Sequence, residues 1–243
     1  MKVFLINMDD AKSRLDFMTE QLTKQGVEFE RVSAVNGKKL RAEDIKKLNS
    51  VFLQFCARGY SLNRGEIGCS MSHMSIWRRI VDENIPKACI MEDDVTVLDT
   101  IRGNLEKLEK IVQPDENAAY LISAGVDGGV DGVGVQPGRG SFHTCGYVVS
   151  RTSAAFLLKC NTPLVYPCDA WHIWESWGLK FYKYMPRSVA HWNRKLFGSM
   201  NDGETVHRSL LVHKVKRLFG KPIELIYRYY RKKTMRLEIG ACP

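Results

Sequence analysis

At residues 88–94 the chain reads ACIMEDD, a short apolar run that leads directly into three carboxylates. Four apolar residues in a row have the length of a buried strand, and the acidic residues mark where that strand ends. The adjacent carboxylates repel one another, and a strand end offers no helix dipole to relieve the repulsion. The stretch therefore predicts a buried strand that places a cluster of negative charge at one edge of a sheet.

Strand and helix patterns alternate on both sides of this strand. Strand patterns cover residues 2–7, 27–35, 119–123, 144–150, 181–184 and 188–192, and helix patterns cover residues 11–26, 67–81, 101–112 and 152–160. Repeated β-α units predict an α/β fold in which a mostly parallel central sheet is flanked by helices. Ligands bind at the carboxyl ends of the strands in such sheets, which is where the acidic cluster lies.

A divalent cation is one explanation for Glu92, Asp93 and Asp94. Mg²⁺ and Mn²⁺ prefer oxygen ligands and need only one or two carboxylates when substrate phosphates supply the rest. The alternative is a solvated turn in which Asp93 only caps the chain. The placement directly after a buried strand favours the cation.

Length and composition are those of an ordinary globular chain. The 243 residues, 44% hydrophobic and 26% charged, suffice for one large domain with a small appendage. No apolar run reaches the roughly 18 residues of a membrane span, and the run at 3–6 is too short for a signal peptide, so we expect the chain in the cytoplasm. The seven cysteines include no C-x-x-C pair. This argues against a disulfide framework and a structural zinc site, and it predicts Cys69 to be a core residue.

The net charge of +9 is concentrated near the C-terminal end. Basic and acidic residues number 26 and 25 in residues 1–206, a net of +1, and 10 and 2 in residues 207–243, a net of +8. This predicts a folded domain at 1–206 and a basic helical C-terminal tail at 207–243, and it disfavours nucleic acid as a partner of the main body.

The tail itself has an amphipathic pattern. Leu211, Val215 and Leu218 have helical spacing and lie between basic residues. This pattern predicts a helix on an anionic membrane surface. The alternative is that the apolar stripe packs on the folded domain and the charges are merely solvated.

Residues 125–140 contain seven glycines and show no periodicity. We expect a mobile loop there. Because glycine permits the backbone changes that a hinge needs, the loop is predicted to close over a ligand and to exclude water from it.

Several motifs follow one another along the chain. They are IN at 6–7 with Arg14, FER at 29–31 leading to AVNG at 34–37, GEIGCSMSH at 65–73 with Trp77, MEDDV at 91–95, GYVVS at 146–150 with AA at 154–155, and Asp169. Over about residues 1–200 their order and spacing resemble glycosyltransferase family 25. That family includes bacterial lipooligosaccharide galactosyltransferases and collagen galactosyltransferase domains.

The resemblance implies a GT-A-like nucleotide-sugar transferase that acts with inversion, with EDD standing in for the D-x-D metal motif. Glu92 and Asp94 take the outer positions of that motif, and Glu92 departs from the pattern because the first position is normally Asp. A cation held there would neutralise the diphosphate leaving group of the donor. His191, after a predicted strand, is a candidate third ligand, and the alternative is an ordinary buried histidine.

The donor pocket is expected at the same edge of the sheet. The residues that we expect to line it are Asn7, Arg14, Ser72, His73, Glu92 and Asp93. The position of Asn7 at a strand end supports this role independently, whereas Arg14 is assigned through the resemblance alone. Turn, surface and core roles are the alternatives, and a lone helical histidine such as His73 more often has one of them.

An inverting transfer needs a general base that takes the proton of the acceptor hydroxyl, and Asp169 is the candidate. It shortly precedes WHIWE at 171–175, and aromatic rings beside carboxylates suit sugar rings. The alternative is a helix start with Asp169 as the N-cap and the tryptophans in the core. The predicted catalytic residues are therefore Asp169 and Asp94.

The resemblance implies transfer of a hexose, galactose from UDP-galactose, to a lipooligosaccharide acceptor, and the tail pattern predicts that this takes place at the inner face of the cytoplasmic membrane. The alternative is a non-catalytic, membrane-associated nucleotide-sugar-binding protein. A phosphoryl-transfer enzyme is disfavoured because the sequence contains no G-x-x-x-x-G-K-[ST] motif.

Overall fold

The computed structural model describes residues 1–48, 53–54, 61–123, 132–138 and 145–191, together with residues 225 and 229. The helices are α1 (Lys12–Lys24), α2 (Ala42–Leu48), α3 (Arg64–Asp82), α4 (Ile101–Ile111), α5 (Arg151–Cys160) and α6 (Trp171–Trp177), with a 3₁₀ turn at Gly37–Lys39. The strands are β1 (Lys2–Asn7), β2 (Glu30–Ser33), β3 (Lys87–Glu92), β4 (Val95–Val97), β5 (Ala118–Leu121), β6 (Gly134–Pro137), β7 (Gly146–Ser150), β8 (Lys180–Met185) and β9 (Val189–His191).

Seven of these strands form the central sheet, in the order β2-β1-β3-β7-β5-β8-β6. Strands β1, β2, β3, β5 and β8 run in one direction, and β7 and β6 run in the other. This confirms the α/β class and the mostly parallel sheet. The two antiparallel strands make the sheet mixed, because β7 lies between β3 and β5. Strands β4 and β9 form a small separate antiparallel pair.

Strand β3 is buried on both faces of the sheet. Ala88 and Ile90 belong to the apolar core on the side of α3, α5 and α6. Cys89 and Met91 belong to the core on the side of α1 and α4. A strand that is covered on both sides has no reason to alternate apolar with polar residues, which explains the continuous apolar run of ACIMEDD.

Helix α3 crosses one face of the sheet and begins at a capping box. The Asn63 side chain accepts from the backbone N–H of Glu66 at 2.8 Å, and the Glu66 carboxylate accepts from the backbone N–H of Asn63 at 2.9 Å. These bonds satisfy backbone donors that the first turn leaves free. Ile76, Trp77 and Ile80 then bury the inner face of the helix completely.

Two glycines allow α3 to approach the 3₁₀ turn closely. A Cβ placed on Gly68 would lie 2.5 Å from the carbonyl oxygen of Val35 and 2.6 Å from the nitrogen of Gly37. A Cβ on Gly37 would collide with the carbonyl oxygen of Arg64. The segment at 34–38 is therefore held directly against the helix.

The structure differs from the sequence predictions in several elements. The stretch 125–140 is not loop throughout, because Gly134–Pro137 forms strand β6 beside β8. Strand β4 was not predicted, and helix α6 was predicted only as the alternative that starts at Asp169. Strand β2 is shorter than the pattern at 27–35, and its residues are mostly exposed because it lies at the sheet edge.

Some predictions fall on residues that the structure does not describe. These are the lid at 125–140, apart from residues 132–138, and the boundary at 206. In the tail only Leu225 and Tyr229 are described, and both are helical, with 66% and 63% of their surface exposed. Among the described helices, none combines the length and apolar character needed to cross a membrane.

The close approach at Gly68 makes a sharp prediction about stability. Gly68→Ala is expected to lower the free energy of unfolding by about 1–3 kcal/mol, because the added methyl group overpacks the contact with Val35 and Gly37. Urea denaturation measures this change. In the matched control, Gly103→Ala in α4, the methyl group meets nothing within 4 Å. That variant should be more stable by about 0.5–1 kcal/mol, and a destabilised Gly103→Ala with an unaffected Gly68→Ala would contradict the packing argument.

Candidate active site

A cleft opens where strands β1, β2 and β3 end. Its walls are the end of β1, the segment at 34–38, the cleft-facing side of α3 and the acidic residues after β3. The cavity volume is about 150 Å³. The cleft brings together seven residues that the sequence analysis selected: Asn7, Arg14, Ser72, His73, Glu92, Asp93 and Asp94.

Asp93 is held by a buried network. Its carboxylate accepts from Asn7 Nδ2 at 2.6 Å and forms an ion pair with the Arg14 guanidinium at 3.0 Å. The Arg14 and Asp93 side chains are only 13% and 9% exposed. Burial raises the pKa of Asp93, and the neighbouring Arg14 and Asn7 act against that effect. Asp93 therefore joins β3 to β1 and α1, and the solvated-turn alternative does not apply to it.

Asn7 uses its whole side chain in the same network. Only 1% of its surface is exposed. Its amide N–H groups donate to Asp93 and to the backbone carbonyl of Ala11, and its Oδ1 accepts from Arg31 Nε at 2.9 Å. A direct contact between Asn7 or Arg14 and a nucleotide stays a prediction, because these side chains already bind protein partners.

Asp94 has a different environment. Its side chain lines the cleft, and its Oδ1 is buried without a hydrogen-bond partner among the described residues. A buried carboxylate oxygen without a donor is costly unless a cation or another donor compensates it. The chemistry of this oxygen therefore fits a hard divalent cation.

Glu92 lies on the opposite side of the strand from Asp93 and contacts α3. Its Oε1 accepts from His73 Nε2 at 3.0 Å, and 26% of its side chain is exposed. On the other side of the ring, His73 Nδ1 is hydrogen-bonded to the Tyr147 hydroxyl at 2.7 Å, and that hydroxyl accepts from Trp77 Nε1 at 2.9 Å. These four side chains form one chain of hydrogen bonds that ends at the cleft.

Burial and neighbouring charges perturb the pKa values of both partners. Burial raises the pKa of Glu92, the His73 hydrogen bond opposes this shift, and the carboxylates of Asp94 and Asp169 add to it. Burial by itself lowers the pKa of His73, but Tyr147, Cys69 and Glu92 raise it, and the net pKa is well above the ordinary value. Asp169 follows Cys168, whose Sγ lies 3.6 Å from Sγ of Cys69, and that atom lies 3.8 Å from Glu92 Oε1, so the segment that carries Asp169 lies near the acidic cluster.

Asp169 lies just before helix α6 and is half-buried. The N-cap of α6 is Ala170, so the alternative prediction that Asp169 is the N-cap is wrong. The tryptophans Trp171 and Trp174 are completely buried in the core. They are therefore not a platform for a sugar ring, and the core alternative for them is confirmed.

Ser72 connects α3 to the segment at 34–38. Its hydroxyl accepts from the backbone N–H of Val35 at 2.8 Å and donates to the carbonyl of Gly68 at 2.8 Å. It thereby fixes one wall of the cleft, and a contact with the donor stays a prediction. His191 ends β9 with its backbone opposite Val95, the residue after Asp94. Its side chain lies outside the described residues, so its role as a metal ligand stays a prediction.

Sequence reasoning missed a group of thiols at the cleft. Cys69 is exposed rather than buried, which corrects its prediction as a core residue. Its Sγ lies 3.6 Å from Sγ of Cys168, and these two thiols and His73 have ligand atoms within 4.8 Å of one another. The spacing of Cys69 and His73 on one helix face was visible in the sequence, but nothing local indicated Cys168.

The chain is an α/β protein whose parallel strands end at an acidic cleft. Proteins of this class bind their ligands at the carboxyl ends of such strands. The comparison with protein families identifies the particular family. The family model described as "Glycosyltransferase family 25 (LPS biosynthesis protein)" matches residues 1–125, slightly more than half of the chain. The chain belongs to glycosyltransferase family 25.

Similar proteins in animals include active and inactive members. Procollagen galactosyltransferase 2 of Homo sapiens is 33% identical over 186 residues, which cover 66% of this chain and 28% of that protein. Procollagen galactosyltransferase 2 of Mus musculus is 37% identical over 127 residues, which cover 51% and 20%. Inactive glycosyltransferase 25 family member 3 of Homo sapiens is 32% identical over 127 residues, which cover 51% and 21%. The chain thus spans less than a third of the length of these relatives.

The ion pair of Asp93 can be tested by its contribution to stability. Arg14→Met should lower the free energy of unfolding by about 3 kcal/mol, because a buried carboxylate loses its cation. Adding Asp93→Asn should recover part of this loss, since a neutral amide needs no cation. Urea denaturation of Arg14→Met, Asp93→Asn and the double variant gives the coupling free energy between the two side chains.

Arg102→Met serves as the control for this cycle. Arg102 and Glu106 form a pair in which both side chains are 64% exposed. Removing it should cost about 0.5 kcal/mol. Equal losses in Arg14→Met and Arg102→Met would show that the buried network does not hold the strand ends together.

Proposed function

We propose that this chain is an inverting glycosyltransferase with a GT-A-like fold that transfers a hexose, galactose from UDP-galactose, to a lipooligosaccharide acceptor. The observation that carries this proposal is the buried, unpartnered Asp94 oxygen in a cleft at the strand ends of a family 25 domain. The galactosyltransferase names of two similar proteins support hexose transfer. The family description supports the lipopolysaccharide acceptor.

Asp94 is the proposed ligand of a divalent cation, Mn²⁺ or Mg²⁺, with Glu92 and His191 as further candidates. When bound, the cation supplies charge neutralisation for the diphosphate leaving group. Asp93 is not a candidate ligand, because Asn7 and Arg14 engage both of its carboxylate oxygens. The two adjacent aspartates thus differ in their proposed roles. Asp93 holds the end of β3 in place, and Asp94 binds the cation on the donor side.

Asp169 is the proposed general base. It lies in the segment before α6, whereas the proposed donor-binding residues come from β1, α1, β3 and α3. In this role its carboxylate would accept the proton of the acceptor hydroxyl that attacks the donor sugar.

The size of the cleft bears on how the donor is held. Its volume of about 150 Å³ is smaller than the roughly 300–1,000 Å³ of pockets that enclose a drug-sized ligand. The cleft therefore holds one part of a nucleotide sugar, and the rest of the donor extends beyond it.

A non-catalytic, nucleotide-sugar-binding protein is the second candidate. The similarity to a human family 25 member whose name describes it as inactive supports this second candidate. The Asp94 carboxylate in the cleft, with a buried oxygen that no described residue satisfies, favours the enzyme. Release of UDP from UDP-galactose in the presence of Mn²⁺ distinguishes the two functions.

Membrane association is proposed for the tail. The net charge of +8 in residues 207–243 suits the anionic inner face of the cytoplasmic membrane, where each basic residue contributes about 1 kcal/mol. A lipid-linked acceptor would be reached from this surface.

The metal role predicts the effect of Asp94→Asn. The amide keeps the shape of the side chain and loses the charge, so transfer from UDP-galactose should fall by about 10²–10³-fold while the unfolding temperature is unchanged or higher. The matched control is Asp115→Asn, an exposed aspartate outside the cleft, which should retain full activity.

The same measurements separate binding from turnover. Asp169→Asn should retain Mn²⁺-dependent UDP binding in calorimetry and lose transfer, since a general base acts only in the chemical step. Full activity of Asp94→Asn, or of the wild type in EDTA, would rule out the cation. Absence of UDP release from every donor tested, with UDP still bound, would support the non-catalytic alternative.

The tail makes an independent prediction. A chain that ends at Val206 should remain folded and active on a short water-soluble acceptor, but it should no longer bind anionic vesicles. The full chain should bind such vesicles at low salt and leave them as ionic strength rises, because screening shortens the reach of the basic charges. If the shortened chain unfolds, the apolar stripe packs on the domain and the membrane role is wrong.

A further inference from the structure

Cys69, His73 and Cys168 form a group of metal-ligating side chains beneath the cleft. We propose that they bind Zn²⁺, with Glu92 as the fourth ligand. The donors are two sulfurs, one imidazole nitrogen and one carboxylate oxygen, a set that suits Zn²⁺ rather than Mg²⁺ or Mn²⁺. The inference does not depend on the proposed function, because Cys69, His73 and Cys168 are not among the proposed ligands of the donor-site cation, and only Glu92 is a candidate for both ions.

The distances are close to those of a tetrahedral site. Zinc bonds of about 2.3 Å to sulfur and about 2.0 Å to nitrogen separate neighbouring ligand atoms by roughly 3.3–3.8 Å. The two Sγ atoms are 3.6 Å apart, and Cys69 Sγ lies 3.8 Å from Glu92 Oε1. His73 Nε2 lies 3.0 Å from the same Glu92 oxygen. Cys69, His73 and Cys168 already have ligand atoms within 4.8 Å of one another, and Glu92, which contacts two of them, completes the site by moving its side chain toward Cys168.

The outer partners that orient metal ligands are also present. His73 Nδ1 lies 2.7 Å from the Tyr147 hydroxyl, which fixes the ring with Nε2 directed at the site. The backbone N–H of Cys168 donates to Ser70 Oγ at 3.1 Å, which holds the backbone at the second thiol against α3. Such partners set ring orientation and ligand basicity at zinc sites. Their presence distinguishes this group from a chance meeting of thiols.

The site has an entry path and a structural consequence. Cys69 is exposed and lines the cleft, so an ion can reach it from solvent. The ligands come from α3, the end of β3 and the segment before α6. An ion held by all three would restrain the segment that carries Asp169, and the thiol protons would be released to solvent on binding.

The experiment uses the full-length chain, freed of metal by a chelator and kept reduced with a phosphine. Titration with Co²⁺ should saturate at one ion per protein molecule. The bound ion should show thiolate-to-cobalt charge-transfer absorption and the intense visible bands of a tetrahedral site. Zn²⁺ should abolish these bands and raise the unfolding temperature. A thiol count on the denatured protein confirms that the cysteines are reduced, so that a disulfide between Cys69 and Cys168 does not mimic a negative result.

Variants identify the ligands. Cys69→Ser and Cys168→Ser should each weaken Zn²⁺ binding at least about 100-fold and remove the Zn²⁺-dependent rise in unfolding temperature. Cys160→Ala, which removes a buried thiol outside the group, should leave both properties unchanged. Circular dichroism shows that each variant is folded. Reduced wild-type protein without the charge-transfer band, or equal Zn²⁺ affinity in wild type and Cys69→Ser, would overturn the proposal.

Discussion

The buried carboxylate of Asp93 determines how the acidic end of β3 is arranged. A charge in that position is tolerated only with a cation and donors around it, and Arg14 and Asn7 supply them. The network fixes the end of β3 against β1 and α1 on one side of the sheet. Because successive side chains of an extended chain alternate in direction, Glu92 is then directed to the other side, where α3 provides His73. The cleft lies between these two anchored positions.

The sequence was informative where the physical cause is local. The apolar run at 88–91 predicted β3 because burial on both faces needs uninterrupted apolar residues, and helices α1, α4 and α5 followed from their periodicity. Strand β6 was missed because seven glycines obscure any alternation, and its pairing with β8 is a tertiary effect. Helix α6 was predicted only as the alternative that starts at Asp169, because a helix of seven residues is too short for its periodicity to identify it.

The sequence predicted which residues line the candidate site better than it predicted what each of them contacts. All the residues selected on β1, α1, α3 and the acidic cluster line the cleft, since strand ends of one sheet meet at one edge. Their individual roles depend on hydrogen bonds that connect distant parts of the chain. A buried amide or hydroxyl such as that of Asn7 or Ser72 must find partners, and these proved to be protein groups. The contact between Cys69 and Cys168 is a similar long-range effect and left no local signal.

The hydrogen-bonded chain from Trp77 to Glu92 has fixed ends, because an indole nitrogen only donates and a carboxylate only accepts. Between them, the Tyr147 hydroxyl and the His73 imidazole can each do both. Replacing one of these side chains alone leaves its neighbour with a hydrogen-bond donor or acceptor that has lost its partner. The four positions, carried by α3, β7 and β3, therefore have to evolve as a unit, and family 25 chains that lack one of them should show compensating changes at the others.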